Sequence, residues 1–117
     1  MINRVTLVGR LGADVELRYS PSGKPVTTFR VATDSSHKGP DGSRIKRTDW
    51  HSVVVFGSTA QACADYIGKG SLVFVEGSLR TRKWTGEDKV ERFSTEVIAR
   101  LVRFLDNRRG NTEAAEF

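Results

Sequence analysis

Two guanidinium groups and an indole share one surface if Arg80-Thr81-Arg82-Lys83-Trp84 is a β-strand, because alternate side chains of a strand point the same way. Such a row neutralises phosphates through Arg80 and Arg82 while the Trp84 ring stacks on a base. Trp50 and Phe56 stand at even spacing in a second strand-like run, Thr48 to Phe56, and the loop before it brings Lys38, Arg44, Lys46 and Arg47 within reach. Stacking on an aromatic ring is worth about 1–3 kcal/mol per base and tolerates any base, and basic side chains add affinity that is sequence-independent and salt-sensitive. Together these terms describe the binding of an unpaired nucleic-acid strand.

Large aromatics are more often core than functional, so Trp50, Phe56 and Trp84 have to be weighed against burial. Phase decides the matter. Val53 and Val55 already fill the face opposite Trp50 and Phe56, and an inward Trp84 would drag Arg80 and Arg82 with it. Two unpaired guanidinium groups are very costly to bury. The rings and the cations are expected outside.

Catalytic patterns are weaker. Asp49 and His51 share a strand face, but Ser52 points to the other one, which breaks a triad. Carboxylates are scattered singly, and Glu87-Asp88 falls in a turn, so no pair is set for acid–base or two-metal work. Gly68-Lys69-Gly70 follows a helical segment instead of a strand and is no phosphate loop. Cys63 is the only cysteine and sits at an apolar helix position, as a buried thiol would; with His37 and His51 the only histidines, no metal or other cofactor is expected.

The elements that must hold these residues follow from periodicity. Asn3 to Leu11 alternates as a strand with glycines at a bend, and Val15 to Tyr19 continues it. The turn Ser20 to Pro25 leads to a third run, Val26 to Thr33. Ser35 to Arg47 contains Gly39-Pro40-Asp41-Gly42 and five charges, four of them basic, and reads as a long solvated loop. After Thr48 to Phe56, Ser58-Thr59-Ala60-Gln61 matches a capping box, and Ala60, Cys63, Ala64 and Ile67 mark the buried stripe of a short helix closed by Gly68 and Gly70. Ser71 to Trp84 is a strand with Gly77 as a bulge, Thr85 to Lys89 a hairpin turn, and Val90 to Leu105 a long last strand. Three strands, one helix and two strands give an all-β fold with one short helix, the five-stranded Greek-key barrel of the OB-fold; a β-sandwich has no use for a lone mid-chain helix. On the last strand Val97, Leu101 and Leu105 share a face while Ile98, Val102 and Phe104 break the alternation, more apolar surface than one small barrel absorbs. Some of it is expected to meet another subunit.

The chain's 117 residues suit one domain, expected over 1–106, with 107–117 as a short flexible tail. Nineteen Lys plus Arg against fourteen Asp plus Glu leave a net charge of +5, which favours a polyanionic partner. No stretch approaches the roughly 18–20 apolar residues that span a bilayer, and Met1-Ile2-Asn3-Arg4 lacks a secretory pattern. No membrane partner is expected, and a bacterial-type cytoplasm or an organelle matrix is the expected setting.

Asn3-Arg4-Val5-Thr6-Leu7-Val8-Gly9-Arg10-Leu11-Gly12, Thr48-Asp49-Trp50-His51-Ser52-Val53-Val54-Val55-Phe56-Gly57 and Val75-Glu76-Gly77-Ser78-Leu79-Arg80-Thr81-Arg82-Lys83-Trp84 closely resemble the bacterial single-stranded DNA-binding proteins, in order and from about residue 2 to residue 105. The resemblance implies an OB-fold, a homotetramer, and the wrapping and protection of single-stranded DNA during replication, recombination and repair, in the cytoplasm with the nucleoid. Trp50, Phe56 and Trp84 match the family's base-stacking positions; Lys69, Arg80, Arg82 and Lys83 match its backbone contacts, to which the loop adds Lys46 and Arg47. His37 stands where the family often has a tryptophan, a weaker platform on which a base still stacks. The family's long linker and acidic tip, which recruits replication and repair proteins, is expected to be absent: Glu113-Ala114-Ala115-Glu116-Phe117 offers two acids and a terminal Phe. Either a short paralogue with reduced recruitment or a chain cut to its binding domain fits that ending. Two other readings remain: an OB-fold accessory module whose main partner is a replication or restart protein, which predicts weak DNA binding, and a small nuclease, which needs metal ligands the sequence does not offer.

Overall fold

The computed structural model describes residues 1–106; the expected tail, 107–117, lies outside the described residues. In chain order the elements are β1 (Val5–Leu11), β2 (Glu16–Tyr19), β3 (Pro25–Asp34), β4 (His37–Lys38), β5 (Arg44–Ile45), β6 (Thr48–Phe56), α1 (Ser58–Tyr66), β7 (Leu72–Thr85) and β8 (Glu91–Phe104). The sheet runs β1-β7-β8-β6-β3-β2, and β1 also pairs with β3, so β1, β7, β8, β6 and β3 close a ring. Every neighbouring pair in the ring is antiparallel except β6 with β8, where Val53 lies against Val97 and Val54 against Ile98. This is the expected five-stranded OB-fold barrel. β2 borders β3 on the edge that β1 also uses, with Arg10 opposite Ala32 and Glu16 opposite Thr28, so β1 and β2 act as one strand interrupted at residues 12–15.

Closure depends on Gly9. β1 passes so near β3 that a Cβ there would lie 2.1 Å from the Ala32 carbonyl oxygen and 2.7 Å from Val31 Cγ1. Inside the ring, Leu11, Phe29, Val31, Val53, Val55, Val73, Val75, Val97 and Val102 form the core, and α1 plugs one end with Ala60 and Cys63, followed by Ile67. Thr27 enters this interior because its hydroxyl donates to the Ala60 carbonyl at 2.7 Å, which ties the helix to β3. Burial pushes the Cys63 thiol up to about 12, so the side chain behaves as a small apolar group.

Three local expectations change. The long loop 35–47 contains the two-stranded hairpin β4–β5, with His37 opposite Ile45 and Lys38 opposite Arg44, because Gly42 supplies a positive φ of 84° at the turn. The capping box does not form. β6 leaves the sheet through Gly57 at φ 79°, a conformation Ser58 would resist, so Gly57 takes the N-cap position and its carbonyl receives the Ala60 and Gln61 N–H groups. The helix then ends at Tyr66, with Ile67 already extended ahead of Gly68 and Gly70.

The third concerns β8. The ladder is irregular at Gly77 as expected, but the extra residue is in β8: Glu76 lies opposite Leu101 and Gly77 opposite Ala99, so Arg100 is the bulged residue. The slip exchanges the faces of β8 midway, so Val97 and Val102 are both buried and Phe104 packs against the core. Much of the apolar excess expected on this strand is thereby absorbed. Leu105, just past its end, and Phe93 nonetheless stay exposed, and Met1, Ile2, Val8 and Leu79 are among the other exposed apolar residues.

Candidate nucleic-acid interface

On β6, Val53 and Val55 point inward, so Trp50, Ser52, Val54 and Phe56 face out. β8 lies alongside through Ile98, and β7 continues the surface with Arg80 opposite Glu96, Arg82 opposite Ser94 and Trp84 opposite Arg92. One outer face therefore runs from Trp50 across β8 to the tip of the β7–β8 ribbon. Trp50 is 49% exposed and Phe56 51%, opposite the inward Val53 and Val55, and Trp84 is 41% exposed, as the cost of burying Arg80 and Arg82 requires.

Two recesses lie on this face. The first is lined by Trp50, Ser52, Gly12, Asp14, Glu16 and Arg30; the second by Phe56, Val54, Arg18, Arg80, Arg82 and Glu96. Thr28 borders both, and its hydroxyl is the buried side-chain polar atom among the described residues that lacks a hydrogen-bond partner. Arg82 Nε lies 3.2 Å from a Glu96 carboxylate oxygen, a half-exposed pair of the kind worth about 0–1 kcal/mol, which a phosphate can displace.

The Trp50 ring rests on the interruption between β1 and β2. A Cβ at Gly12 would lie 2.3 Å from its Cζ3 and 2.5 Å from its Cη2. The outer side of the ring is open, so Gly12→Ala should push the indole off its seat while the barrel stays closed. Affinity for oligo-dT is expected to fall roughly tenfold, a stack's lower range, with the urea midpoint unchanged; fluorescence titration and urea unfolding check the two halves.

The other expected site residues are spread more widely. His37 is exposed on the β4–β5 hairpin, in a recess with Ser36, Lys38, Gly42 and Arg44, apart from the one at Trp50. Lys46 and Arg47 are exposed just before β6, and Arg47 Nε donates to Asp49 at 3.2 Å. Hydrogen bonds from the Ser35 hydroxyl and then Arg47 hold the Asp49 carboxyl below its usual range. Lys69 is exposed after α1, and its backbone N–H donates to Asp14, a residue of the Trp50 recess. Lys83 parts company with Arg80, Arg82 and Trp84: its odd position puts it on the opposite face of the ribbon, paired with Glu91 at 3.0 Å.

Asp49, His51 and Ser52 separate into three environments. The Asp49 carboxylate accepts from Ser35 and Arg47, His51 Nε2 lies 2.8 Å from Thr33 Oγ1, and Ser52 lines the outer recess. No group of three or more His, Cys, Asp or Glu among the described residues is placed to hold a metal ion, and no helix among them is long and apolar enough to cross a membrane. Arg18 and Arg30 were not anticipated. Both are even-numbered residues of strands that border the face, a signal that becomes readable only once β3 is known to lie beside β6 and β2 beside β3.

Comparison with known proteins gives a consistent picture. The sequence model of the single-strand binding protein family matches residues 2–105. The chain is similar to the single-stranded DNA-binding protein of Neisseria meningitidis, 37% identical over 99% of this chain and 67% of that one. It is also similar to that of Xanthomonas axonopodis pv. citri, 44% identical over 92% of this chain and 59% of that one. The chain thus spans about three-fifths to two-thirds of the length of these relatives. Among solved structures it resembles a Plasmodium falciparum SSB in complex with ssDNA, with TM-score 0.84 and 31% identity over 91% of this chain and 97% of that one. A deletion mutant of the single-stranded DNA binding protein from Thermus aquaticus matches at TM-score 0.79 and 29% identity, over 92% of this chain and 52% of that one.

Proposed function

The chain belongs to the single-strand binding protein family, and from that membership we propose that it binds single-stranded DNA without sequence specificity and shields it during replication, recombination and repair. The observation that carries the reading is the outer face on which exposed Trp50 and Phe56 alternate with Arg30, Arg18, Arg80 and Arg82. Rings of this size left open on a small barrel serve as platforms, and neighbouring guanidinium groups meet the phosphates between stacked bases. Trp84 extends the path along the ribbon, and Lys46, Arg47, Lys69 and His37 widen it at the Trp50 end. Lys83, on the reverse of the ribbon, would meet a strand only where it wraps past the edge.

In this reading residues 1–106 are the binding domain and the protein acts without catalysis, in the compartment that holds the cell's DNA. It works as a homotetramer, with the exposed apolar residues Met1, Ile2, Val8, Leu79 and Phe93 supplying surface for subunit contact.

The test is a fluorescence titration with oligo-dT. Both tryptophans are half-exposed, so emission should be quenched on binding, and log K should fall linearly with log salt at about 0.7 per phosphate neutralised. Equal affinity for duplex DNA, or strand cleavage on adding Mg²⁺ or Mn²⁺, would overturn the reading.

A further inference from the structure

At the tip of the β7–β8 ribbon Trp84 does not stand alone. Arg92 is its cross-strand partner, and the guanidinium carbon lies over the indole, 5.7 Å from the ring centroid, within the range of a cation–π contact. The indole N–H donates to Ser94 Oγ at 2.8 Å, which fixes the plane of the ring. Across the turn the Asp88 carboxylate accepts from Arg92 Nη2 through one oxygen and from the Val90 N–H, at 3.1 Å, through the other. Gly86 leaves the space in which the three groups meet: a Cβ there would lie 2.9 Å from Asp88 Oδ1, 3.5 Å from Arg92 Nε and 3.7 Å from Trp84 Cζ3.

We propose that Arg92 is a further strand-binding residue, closed over the Trp84 ring by Asp88, and that a DNA phosphate takes the place of the Asp88 carboxylate when the strand arrives. The proposal rests on the reading of Trp84 as a stacking platform. The guanidinium covers a ring face that a base needs, so that face opens only when Arg92 lifts. Arg92 can lift because its side chain and that of Asp88 are 47% and 50% exposed, and an ion pair so open to water biases an equilibrium by at most about fivefold. A planar fork that leaves one oxyanion is well shaped to take another, bidentately, once it has swung clear of the ring. Asp88 therefore acts on the strand through Arg92, by setting how often its guanidinium is free.

A double-mutant cycle on binding of labelled oligo-dT, measured over a range of salt, tests this. Arg92→Gln should weaken binding several-fold and lower the slope of log K against log salt by about 0.7, the loss of one phosphate contact. Asp88→Asn keeps the acceptor for Val90 N–H, so the turn persists, and should tighten binding up to about fivefold. In the Arg92→Gln background the same Asp88→Asn change should do nothing, and Glu87→Gln, which removes a neighbouring charge, should not reproduce its effect. Tightening by Asp88→Asn of equal size in both backgrounds would mean only a general charge effect and would overturn the proposal, as would an unchanged salt slope in Arg92→Gln. Failure of the unaltered protein to bind oligo-dT would instead overturn the function itself, so the two failures are distinguishable.

Discussion

Phe56→Ala is expected to weaken binding of oligo-dT by about five- to 150-fold, the affinity equivalent of the 1–3 kcal/mol carried by one base–aromatic stack. Phe56 is the ring at the centre of the outer face, in the recess shared with Arg18, Arg80 and Arg82. It lies outside the buried cluster, so truncation opens no cavity, and the urea midpoint should stay where it is. No charge is removed, so the salt slope should also hold while affinity falls at every salt concentration. That combination separates a lost stack from a lost phosphate contact. Phe56→Trp should restore most of the affinity, whereas unchanged affinity in Phe56→Ala would remove Phe56 from the path of the strand.

The largest expected effect on stability comes from Gly9→Val. The added Cβ would meet the Ala32 carbonyl oxygen and carbon, at 2.1 and 3.0 Å, and these are backbone atoms of β3 that cannot swing aside. β1 has to retreat, and the short β1–β3 ladder, Arg10 with Ala32 and Leu11 with Val31, is what it retreats from. Overpacking of this kind costs about 3 kcal/mol or more. Urea unfolding should show a lower midpoint at a similar slope, and at high protein concentration the opened edges of β1 and β3 invite association. A Gly9→Val protein as stable as the original would mean that the two strands do not approach as closely as described.

The period-two pattern placed β6 correctly from Thr48 to Phe56, and the cost of burying Arg80 and Arg82 placed Trp84 outside, because strand parity and charge desolvation act locally. What escaped was whatever depends on partners distant in sequence. Whether Arg18 and Arg30 join the face depends on β3 lying beside β6 and β2 beside β3, and the inward turn of both Val97 and Val102 depends on a register slip against β7. The cap at α1 departs from the sequence pattern for a different reason. Ser58-Thr59-Ala60-Gln61 carries the right residue types, but the chain leaves β6 at an angle that only Gly57 accommodates. The resemblance groups Lys83 with Arg80, Arg82 and Trp84, whereas strand parity alone puts it on the reverse of the ribbon.

The ring has one further consequence, in time. β7 and β8 pair across a short turn, whereas β1 meets β7 with Val5 opposite Gly77, and the parallel seam sets Val53 against Val97. A hairpin zips within microseconds, but chain closures this distant are slow, and barrels dominated by them take milliseconds to seconds. Pairing within the ribbon carrying Trp84 is therefore expected to be fast and fleeting until the remote seams close around its apolar roots and hold it.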